Sequence, residues 1–306
     1  MAATVVLLNA RAGAMIDRGG DDPAGDVARG FEQAGRQVDV RLCQPDEMAR
    51  CMDEAVAAGA QEIIVGGGDG TVSMAVQKLA GSGTALGILP FGTLNLLARD
   101  LGIPLEFDAA VAALAEARPV AIDLGRINGR PFHTISGLGY FGEVARAREE
   151  ARGLKLPFGL GRWLTVLIST VKALLRTRPM RLDITADGQT RRVKAYALLV
   201  TNNAYGDAGW QRPRLDAGIL ELHVAHEAAL ADKLKAGVDL LSDAWRDNPG
   251  IESITATEIR IARPPRVKLW VATDGELARE PAPLDYEIWP NALTVLAPPP
   301  APGGAV

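Results

Sequence analysis

The chain of 306 residues contains little cysteine and little histidine. Its two cysteines are Cys43 and Cys51, so no disulfide framework is expected, and a reducing cytosol suits the protein. The three histidines are too few and too scattered to suggest a zinc site. These shortages argue against a disulfide-stabilised secreted domain and against a zinc enzyme.

The sequence also lacks a segment that could cross a membrane as one helix. Its long uncharged stretches, 79–98 and 288–306, are interrupted by glycines and prolines, so neither forms an unbroken helix of ~20 residues. The first residues, "MAATVVLLNA", lack the basic region of a secretory signal and are predicted to form a strand. We therefore expect a cytoplasmic protein.

Charge of either sign is moderate, with a formal net charge of −4 and one local exception. From Arg146 to Arg181, nine Lys or Arg oppose two Glu, which gives +7. The simpler interpretation is a solvated face, and the alternative is attraction to an anionic phospholipid surface. No nucleic-acid partner is expected, and no oligomeric state is predicted.

The first 122 residues alternate between strand and helix patterns. "TVVLLN" (4–9) is a continuous apolar run, which is typical of a buried parallel strand. Such alternation predicts an α/β domain with a parallel sheet and flanking helices. The predicted strands are 4–9, 37–42, 62–65 and 85–89, and the predicted helices are 24–35, 45–59, 71–80 and 106–117.

From about residue 123 the pattern changes to short runs separated by turns such as "ADGQ". This predicts a β-rich second domain of mostly antiparallel strands over 123–286, with helices near 158–176 and 230–246. Residues 287–298 are a candidate to pack back on the first domain, and 299–306 are predicted to be a disordered tail.

The stretch "GGGDGT" (66–71) combines glycines with one carboxylate directly after a predicted strand. Ligands bind at the carboxyl ends of parallel strands, and a helix N-terminus offers free N–H groups to phosphate. The stretch is no P-loop, because no Gly-Lys-Ser/Thr follows, and it fits the dinucleotide fingerprint poorly. Since Asp69 would repel a phosphate unless a cation lay between them, it suggests Mg²⁺. The alternative is a plain tight turn.

A second polar turn, "LPFGTLNLLARDLGIP" (89–104), follows the next strand. Thr93 and Asn95 place short polar side chains at the start of a predicted helix. Turns after neighbouring parallel strands open onto one crevice, so this turn supports a binding site. The alternative is that Asn95 merely caps the helix.

These motifs together resemble the diacylglycerol kinase catalytic domain family, and more closely its bacterial soluble lipid kinases. The resemblance covers nearly the whole chain and implies a two-domain fold with the active site in the cleft between the domains. It also implies a superfamily shared with NAD kinases and sphingosine kinases. The segments that carry it are "NARAG" (9–13), "GGGDGT" (66–71), "GTLNLLARDLGIP" (92–104), "TNNAYGDAG" (201–209) and "TDGE" (273–276).

The sequence departs from the family pattern at several positions. Ala10 and Ala12 replace the usual Pro and Ser of the first motif, and Leu96 stands where Asp often follows Asn. Gly142 replaces a frequent aspartate. Ala217 stands where a second Asp often follows Asp216, so an intact metal loop is in doubt there.

The resemblance implies transfer of the γ-phosphoryl group of ATP to a lipid hydroxyl, most simply that of diacylglycerol. An aspartate with a pKa near ~4 cannot deprotonate an alcohol in the ground state, but a loose transition state needs only a carboxylate that orients the hydroxyl. We assign Asp274 as this base and Asp69 to the metal and phosphate; sphingosine kinase-like relatives favour Asp69 as the base. The predicted cofactor-binding residues are Asn9, Arg11, Gly67, Gly68, Asp69, Gly70, Thr71, Gly92, Thr93, Asn95 and Glu276, and the predicted metal ligands are Asp69 and Asp216.

Residues 162–176, "RWLTVLISTVKALLR", separate into an apolar and a polar face at helical spacing. One interpretation is an interfacial helix that brings the enzyme transiently to the inner face of the membrane. The other is a helix packed on the second domain's sheet. Two rival functions stay open: an NAD kinase, although no Asn-Glu pair occurs in the chain, and a non-catalytic nucleotide or lipid sensor.

Overall fold

The structure is a computed structural model that describes residues 3–12, 22–152, 173, 176–206, 211–227, 248–263 and 268–299. The chain forms two compact units. The N-terminal unit comprises Met1–Leu124 and Trp289–Val306, and the C-terminal unit comprises Gly125–Ile288. The predicted tail, 299–306, lies outside the described residues except for its first position.

The N-terminal unit contains a parallel sheet with the order β2-β1-β3-β4, and β4 pairs in parallel with the last part of β15. Because β1, β3 and β4 run parallel, their carboxyl ends lie along the same edge of the sheet. The strands are β1 Thr4–Asn9, β2 Asp39–Cys43, β3 Glu62–Gly67, β4 Ala85–Pro90 and β15 Leu284–Ala297.

Apolar burial explains why β1 forms a central strand. Val5, Val6, Leu7 and Leu8 are all buried, so side chains on both faces of the strand are covered. A strand that is buried on both faces needs a continuous apolar run instead of an alternating one, as the sequence predicted.

Sequence signals also mark the first helix, α1 (Pro23–Gln33). Asp22 precedes it, and its side chain accepts a hydrogen bond from the Gly25 N–H group at 2.9 Å. Pro23 occupies the first helical position, where a missing N–H group costs nothing. The other helices of this unit are α2 Met48–Ala57, α3 Asp69–Leu79, α4 Leu96–Asp100 and α5 Phe107–Glu116.

The two cysteines form a disulfide, which the sequence did not predict. Cys43 ends β2 and Cys51 lies in α2, with their Cα atoms 6.9 Å apart. The bond closes a short loop between a strand and the following helix. The sequence predicted no disulfide framework, and a single bond of this kind is not one.

The C-terminal unit is an antiparallel sheet with the order β14-β13-β7-β9-β8-β12-β15. The long strand β9 also pairs with β10, which pairs with β11. Its strands are β5 Arg118–Ile127, shared with the N-terminal unit, β6 Arg130–Phe132, β7 Ile135–Gly139, β8 Met180–Ala186, β9 Gln189–Asn202, β10 Leu220–His226, β11 Ile251–Ala256, β12 Glu258–Ala262, β13 Lys268–Thr273 and β14 Glu276–Pro281.

The larger apolar core of this unit lies on one face of the sheet, and a smaller buried cluster contains Tyr140, Tyr196 and Ala225. Leu220, Leu222 and Val224 alternate along β10 and are fully buried in it, together with Leu198 and Val200 of β9. This period of two places the apolar side chains on one face of the strand, and the polar residues between them, Glu221 and His223, are buried as well. The predicted fold class, a parallel α/β unit followed by an antiparallel β-rich unit, is confirmed.

A helix that the sequence did not predict, α6 (Tyr140–Arg152), follows β7 directly. Its residue Gly142 lies against β13: a Cβ atom there would come within 2.7 Å of the Trp270 backbone oxygen. The glycine that replaces the family's frequent aspartate is therefore required by close packing. The helix predicted near 158–176 lies almost entirely outside the described residues, and the one near 230–246 lies wholly outside them.

Within the described ranges, no helix combines the length and the apolar character that a bilayer crossing requires.

Candidate functional site

The end of β1 is tied to the start of α3 by one asparagine. The Asn9 Nδ2 atom donates to the Thr71 Oγ1 atom at 3.1 Å, and the Asn9 Oδ1 atom accepts from the Arg11 N–H group at 3.0 Å. The nitrogen and the oxygen of the Asn9 amide thus both hold neighbouring residues in place at this edge of the sheet. Arg11 itself is exposed.

The glycine-rich turn between β3 and α3 is too tight for side chains. A Cβ atom on Gly67 would lie 2.5 Å from the Thr71 side chain. Gly68 precedes the helix, and its carbonyl accepts from the N–H groups of Thr71 and Val72. The N–H groups of the first two helical residues, Asp69 and Gly70, precede these bonds and have no partner within the helix, so they are the ones that could bind an anion. Gly70 is exposed in this first turn.

The second turn packs against the first, main chain to main chain. A Cβ atom on Gly92 would come within 2.7 Å of the Gly68 Cα atom. The Asn95 side chain closes this turn, because its Oδ1 accepts from the Gly92 N–H group and its Nδ2 donates to the Gly92 carbonyl, both at 2.9 Å. Asn95 precedes α4 but makes no side-chain capping bond to it, so its amide is used to hold the turn. Thr93 is exposed at its tip.

Asp69 joins the two turns. Its Oδ1 accepts from the Leu96 N–H group at 3.0 Å, and its Oδ2 accepts from the Asn95 N–H group at 3.3 Å. A carboxylate has about four lone-pair positions, so these two bonds leave acceptor capacity for another group. The side chain is partly exposed at the N-terminus of α3, where the helix dipole favours negative charge.

Asp274 occupies a different setting, in the hairpin turn of the C-terminal unit. Asp274 and Gly275 have φ angles of 47° and 86°, as the tight Asp-Gly hairpin turn requires. The Asp274 carboxylate is 3% exposed. It accepts from the N–H groups of His133 at 2.8 Å, Thr134 at 2.9 Å and Ile135 at 3.1 Å. These three bonds therefore fix the backbone of 133–135, where the chain enters β7.

Two polar residues outside the predicted site, Arg212 and Asn202, bind the segment that the Asp274 carboxylate holds. The Arg212 guanidinium is almost fully buried, and its Nη1 atom donates to the carbonyls of His133 at 2.5 Å and Asn202 at 2.8 Å. The Asn202 Nδ2 atom also donates to the His133 carbonyl, at 3.2 Å. "TNNAYGDAG" had drawn attention to Asn202 without a role, whereas an arginine beside a proline carries no local signal of burial.

A buried hydroxyl cluster supports the strands beside Asp274. The Ser136 Oγ atom lies 2.9 Å from the Thr273 Oγ1 atom and 3.1 Å from the Tyr286 hydroxyl. Burial raises the pKa of Tyr286 well above its ordinary value, so the phenol stays neutral. Glu276, at the start of β14, is exposed.

Within the part of the chain that the structure describes, neither predicted metal ligand belongs to a cluster of three or more acidic, histidine or cysteine side chains. Asp216 is 56% exposed and pairs with the Arg214 Nε atom at 3.1 Å. Among the described residues, no group of three or more such side chains could hold a metal ion. Mg²⁺ at phosphate sites needs only one or two carboxylates besides phosphate and water oxygens, so the partly exposed Asp69 fits that role.

The N-terminal unit thus assembles most of the predicted nucleotide-binding set at one sheet edge, whereas Asp274, Glu276 and Asp216 belong to the C-terminal unit.

Comparison with known families covers both units. The family model described as "Diacylglycerol kinase catalytic domain" matches residues 3–127, and the one described as "YegS C-terminal NAD kinase beta sandwich-like domain" matches residues 137–297.

Individual relatives agree with these matches. A Pseudomonas aeruginosa protein named "Probable lipid kinase YegS-like" is 44% identical over 122 residues, which are 39% of this chain and 40% of that protein, so the match spans less than half of the relative. The protein named "Diacylglycerol kinase" from Mycobacterium tuberculosis is 30% identical over 254 residues, 80% of this chain and 79% of that protein. A crystal structure titled as a diacylglycerol kinase from Bacillus anthracis superposes with a TM-score of 0.70 over 97% of both chains at 20% identity, which shows the fold alone.

Proposed function

Since the chain belongs to the bacterial lipid kinase family that joins a diacylglycerol kinase catalytic domain to a YegS-type C-terminal domain, we propose that it phosphorylates a lipid hydroxyl with ATP. Diacylglycerol, which would give phosphatidic acid, is the acceptor that the relatives' names favour. The resident cofactor in this proposal is Mg²⁺, bound together with ATP.

The N-terminal unit provides the phosphate site in this proposal. Support comes from the two turns packed on each other, from the N–H groups of Asp69 and Gly70 at the start of α3, and from the exposed position of Gly70, where a side-chain methyl group would meet no neighbouring segment within 4 Å. Asn9 and Thr71 fix the edge on one side and Gly92 with Asn95 on the other. Arg11 and Thr93, both exposed, are proposed to contact the nucleotide.

Asp69 is the proposed protein ligand of Mg²⁺. Its two hydrogen bonds from α4 hold the carboxylate in place without exhausting its lone pairs. When bound, Mg²⁺ would offset the negative charge that builds on the phosphate oxygens. Asp216 is the less favoured second candidate, because it already forms an exposed ion pair with Arg214.

Asp274 is the proposed base. Three of its approximately four lone-pair positions are taken by N–H groups, two on Oδ1 and one on Oδ2. We assign the remaining position on Oδ2, which has the His133 Nε2 atom 3.7 Å away, to the acceptor hydroxyl. A carboxylate held by three fixed donors loses little further freedom when it orients a substrate. Glu276, two residues along the same turn, is proposed to contact the nucleotide. If Asp69 were the base, loss of Asp274 would leave transfer largely intact.

The lipid acceptor requires contact with a membrane surface. We propose reversible association with the anionic inner face of the membrane through the basic stretch between Arg146 and Arg181, most of which lies outside the described residues. The protein would otherwise be cytoplasmic.

One observation carries the proposal: in a chain of this family, Asn9, the glycine-rich turn and the Gly92–Asn95 turn converge at the carboxyl edge of one parallel sheet. The test is γ-labelled ATP with the purified protein and mixed micelles of diacylglycerol, monoacylglycerol, phosphatidylglycerol or a sphingoid base, with NAD in a parallel reaction. Labelled lipid supports a lipid kinase and identifies the acceptor. Labelled NADP would indicate an NAD kinase, and ATP binding without any transfer would indicate a sensor.

Matched variants separate the two aspartates from general charge effects. Asp69→Asn and Asp274→Asn remove proposed site carboxylates, whereas Asp53→Asn removes one that is 65% exposed and pairs with Lys78 on the surface. We expect only the first two to lose transfer, with Mg-ATP binding kept in Asp274→Asn and weakened in Asp69→Asn.

A further inference from the structure

Arg212 is one of the most deeply buried side chains of the C-terminal unit, with 1% of its surface exposed. A buried guanidinium is costly unless its hydrogen-bond donors are satisfied. Its Nη1 atom meets part of this requirement by donating to two backbone carbonyls, those of His133 and Asn202. An apolar residue would fill the same space without the desolvation penalty of a buried charge. We therefore looked for a role of the two carbonyl contacts beyond packing.

The peptide group between His133 and Thr134 contacts both Arg212 and Asp274. The carbonyl of His133 and the N–H group of Thr134 belong to the same peptide bond. That carbonyl accepts from Arg212 at 2.5 Å, and that N–H group donates to the Asp274 Oδ1 atom at 2.9 Å. The guanidinium and the carboxylate therefore act on opposite ends of one peptide dipole.

Hydrogen bonds in such a chain strengthen one another where the local dielectric constant is low. A cation at the carbonyl end polarises the peptide and makes its N–H group a better donor to the carboxylate. Arg212 also holds the end of β9, because its Nη1 atom donates to the Asn202 carbonyl at 2.8 Å. The Asn202 N–H group in turn donates to the Thr134 carbonyl at 3.0 Å. The ends of β7 and β9 and the Asp274 turn are thus connected through Arg212.

We propose that Arg212 is a positioning residue for phosphoryl transfer, which acts through the His133–Thr134 peptide to hold the Asp274 carboxylate toward the acceptor hydroxyl. The proposal rests on the lipid kinase function proposed above. Arg212 touches neither nucleotide nor lipid in this account. Its loss should therefore lower kcat and leave the KM for ATP nearly unchanged.

The test compares Arg212→Met, Arg212→Lys and the control Arg192→Met in the micelle assay with diacylglycerol. Arg192 belongs to the same unit, is 77% exposed and pairs with Asp183. We expect Arg212→Met to lower kcat about 10–100-fold, since misplacing a reactive group by an ångström has effects of this size. Arg212→Lys keeps the charge and three donors and should recover much of this loss. Arg192→Met should match the wild type.

The unfolding temperature and the stabilisation by Mg-ATP show whether each variant is folded. If Arg212→Met does not fold, Arg212→Gln takes its place, because its amide can still donate to one carbonyl without carrying charge. A folded neutral variant with the wild-type kcat would overturn the inference. So would an equal fall of kcat in the lysine and neutral variants, which indicates a packing role. A wild-type protein that phosphorylates no lipid would overturn the proposed function and this inference with it.

Discussion

The contact between the two turns of the N-terminal unit gives a prediction that depends on few atoms. In Gly92→Ala, the new methyl group would lie 2.7 Å from the Gly68 Cα atom and 2.7 Å from the Asn95 Oδ1 atom. The first of these is main chain and cannot rotate away, so the turns must separate. Overpacking of this kind costs about 1–3 kcal/mol of unfolding free energy.

This loss should lower the melting temperature by about 2–8 °C for each kcal/mol, as measured by circular dichroism or scanning calorimetry. Separation of the turns should also move Asp69 relative to the N-terminus of α3, since its carboxylate is bonded to α4 across the same contact. The stabilisation of the protein by Mg-ATP should therefore shrink as well.

Gly70→Ala is the matched comparison for stability, because it adds the same methyl group in the first turn of α3, where it would meet no neighbouring segment within 4 Å. Alanine in the first turn of a helix should raise stability or leave it unchanged. If Gly92→Ala melted at the wild-type temperature and responded fully to Mg-ATP, the close approach of the two turns would not exist in solution.

Further predictions concern single side chains. Asp69→Asn should lower kcat at least about 100-fold and weaken Mg-ATP binding, measured by labelled transfer; unchanged binding would exclude a metal role. Thr71→Val removes the acceptor of the Asn9 amide and should cost about 1 kcal/mol in denaturant unfolding. For Tyr286, the folded-state pKa is raised, so its contribution to stability is complete below pH ~10 and falls as the pH rises above that value. Tyr286→Phe should be less sensitive to alkaline pH, and equal sensitivity would contradict this.

Local patterns were enough to predict most of the N-terminal unit. A continuous apolar run specified β1, and glycine with an acidic residue specified the start of α3, because these signals act within a few residues. The missed helix α6 begins with Tyr140 and Phe141, which favour strands, and contains Gly142, which disfavours helices. Its position is fixed by contact with β13, and no short-range pattern records that contact.

The environment of Asp274 could not be predicted for the same reason. The Asp-Gly pair predicted a hairpin turn, but the three N–H groups that donate to the Asp274 carboxylate lie about 140 residues away in sequence. Arg212 reaches a carbonyl 79 residues away. The disulfide between Cys43 and Cys51 depends on how α2 packs beside the end of β2, which spacing alone does not determine.

The central claim is that the glycine-rich edge of the N-terminal unit binds the phosphates of Mg-ATP. Isothermal titration of ATP into the purified protein tests it most directly, with and without Mg²⁺ and with Asp53→Asn as the control for charge. The account predicts saturable heat at one site per chain, much reduced without Mg²⁺ or in Asp69→Asn and unchanged in Asp53→Asn. An absence of binding heat in the wild type at several temperatures, with no change in its melting temperature, would contradict the claim.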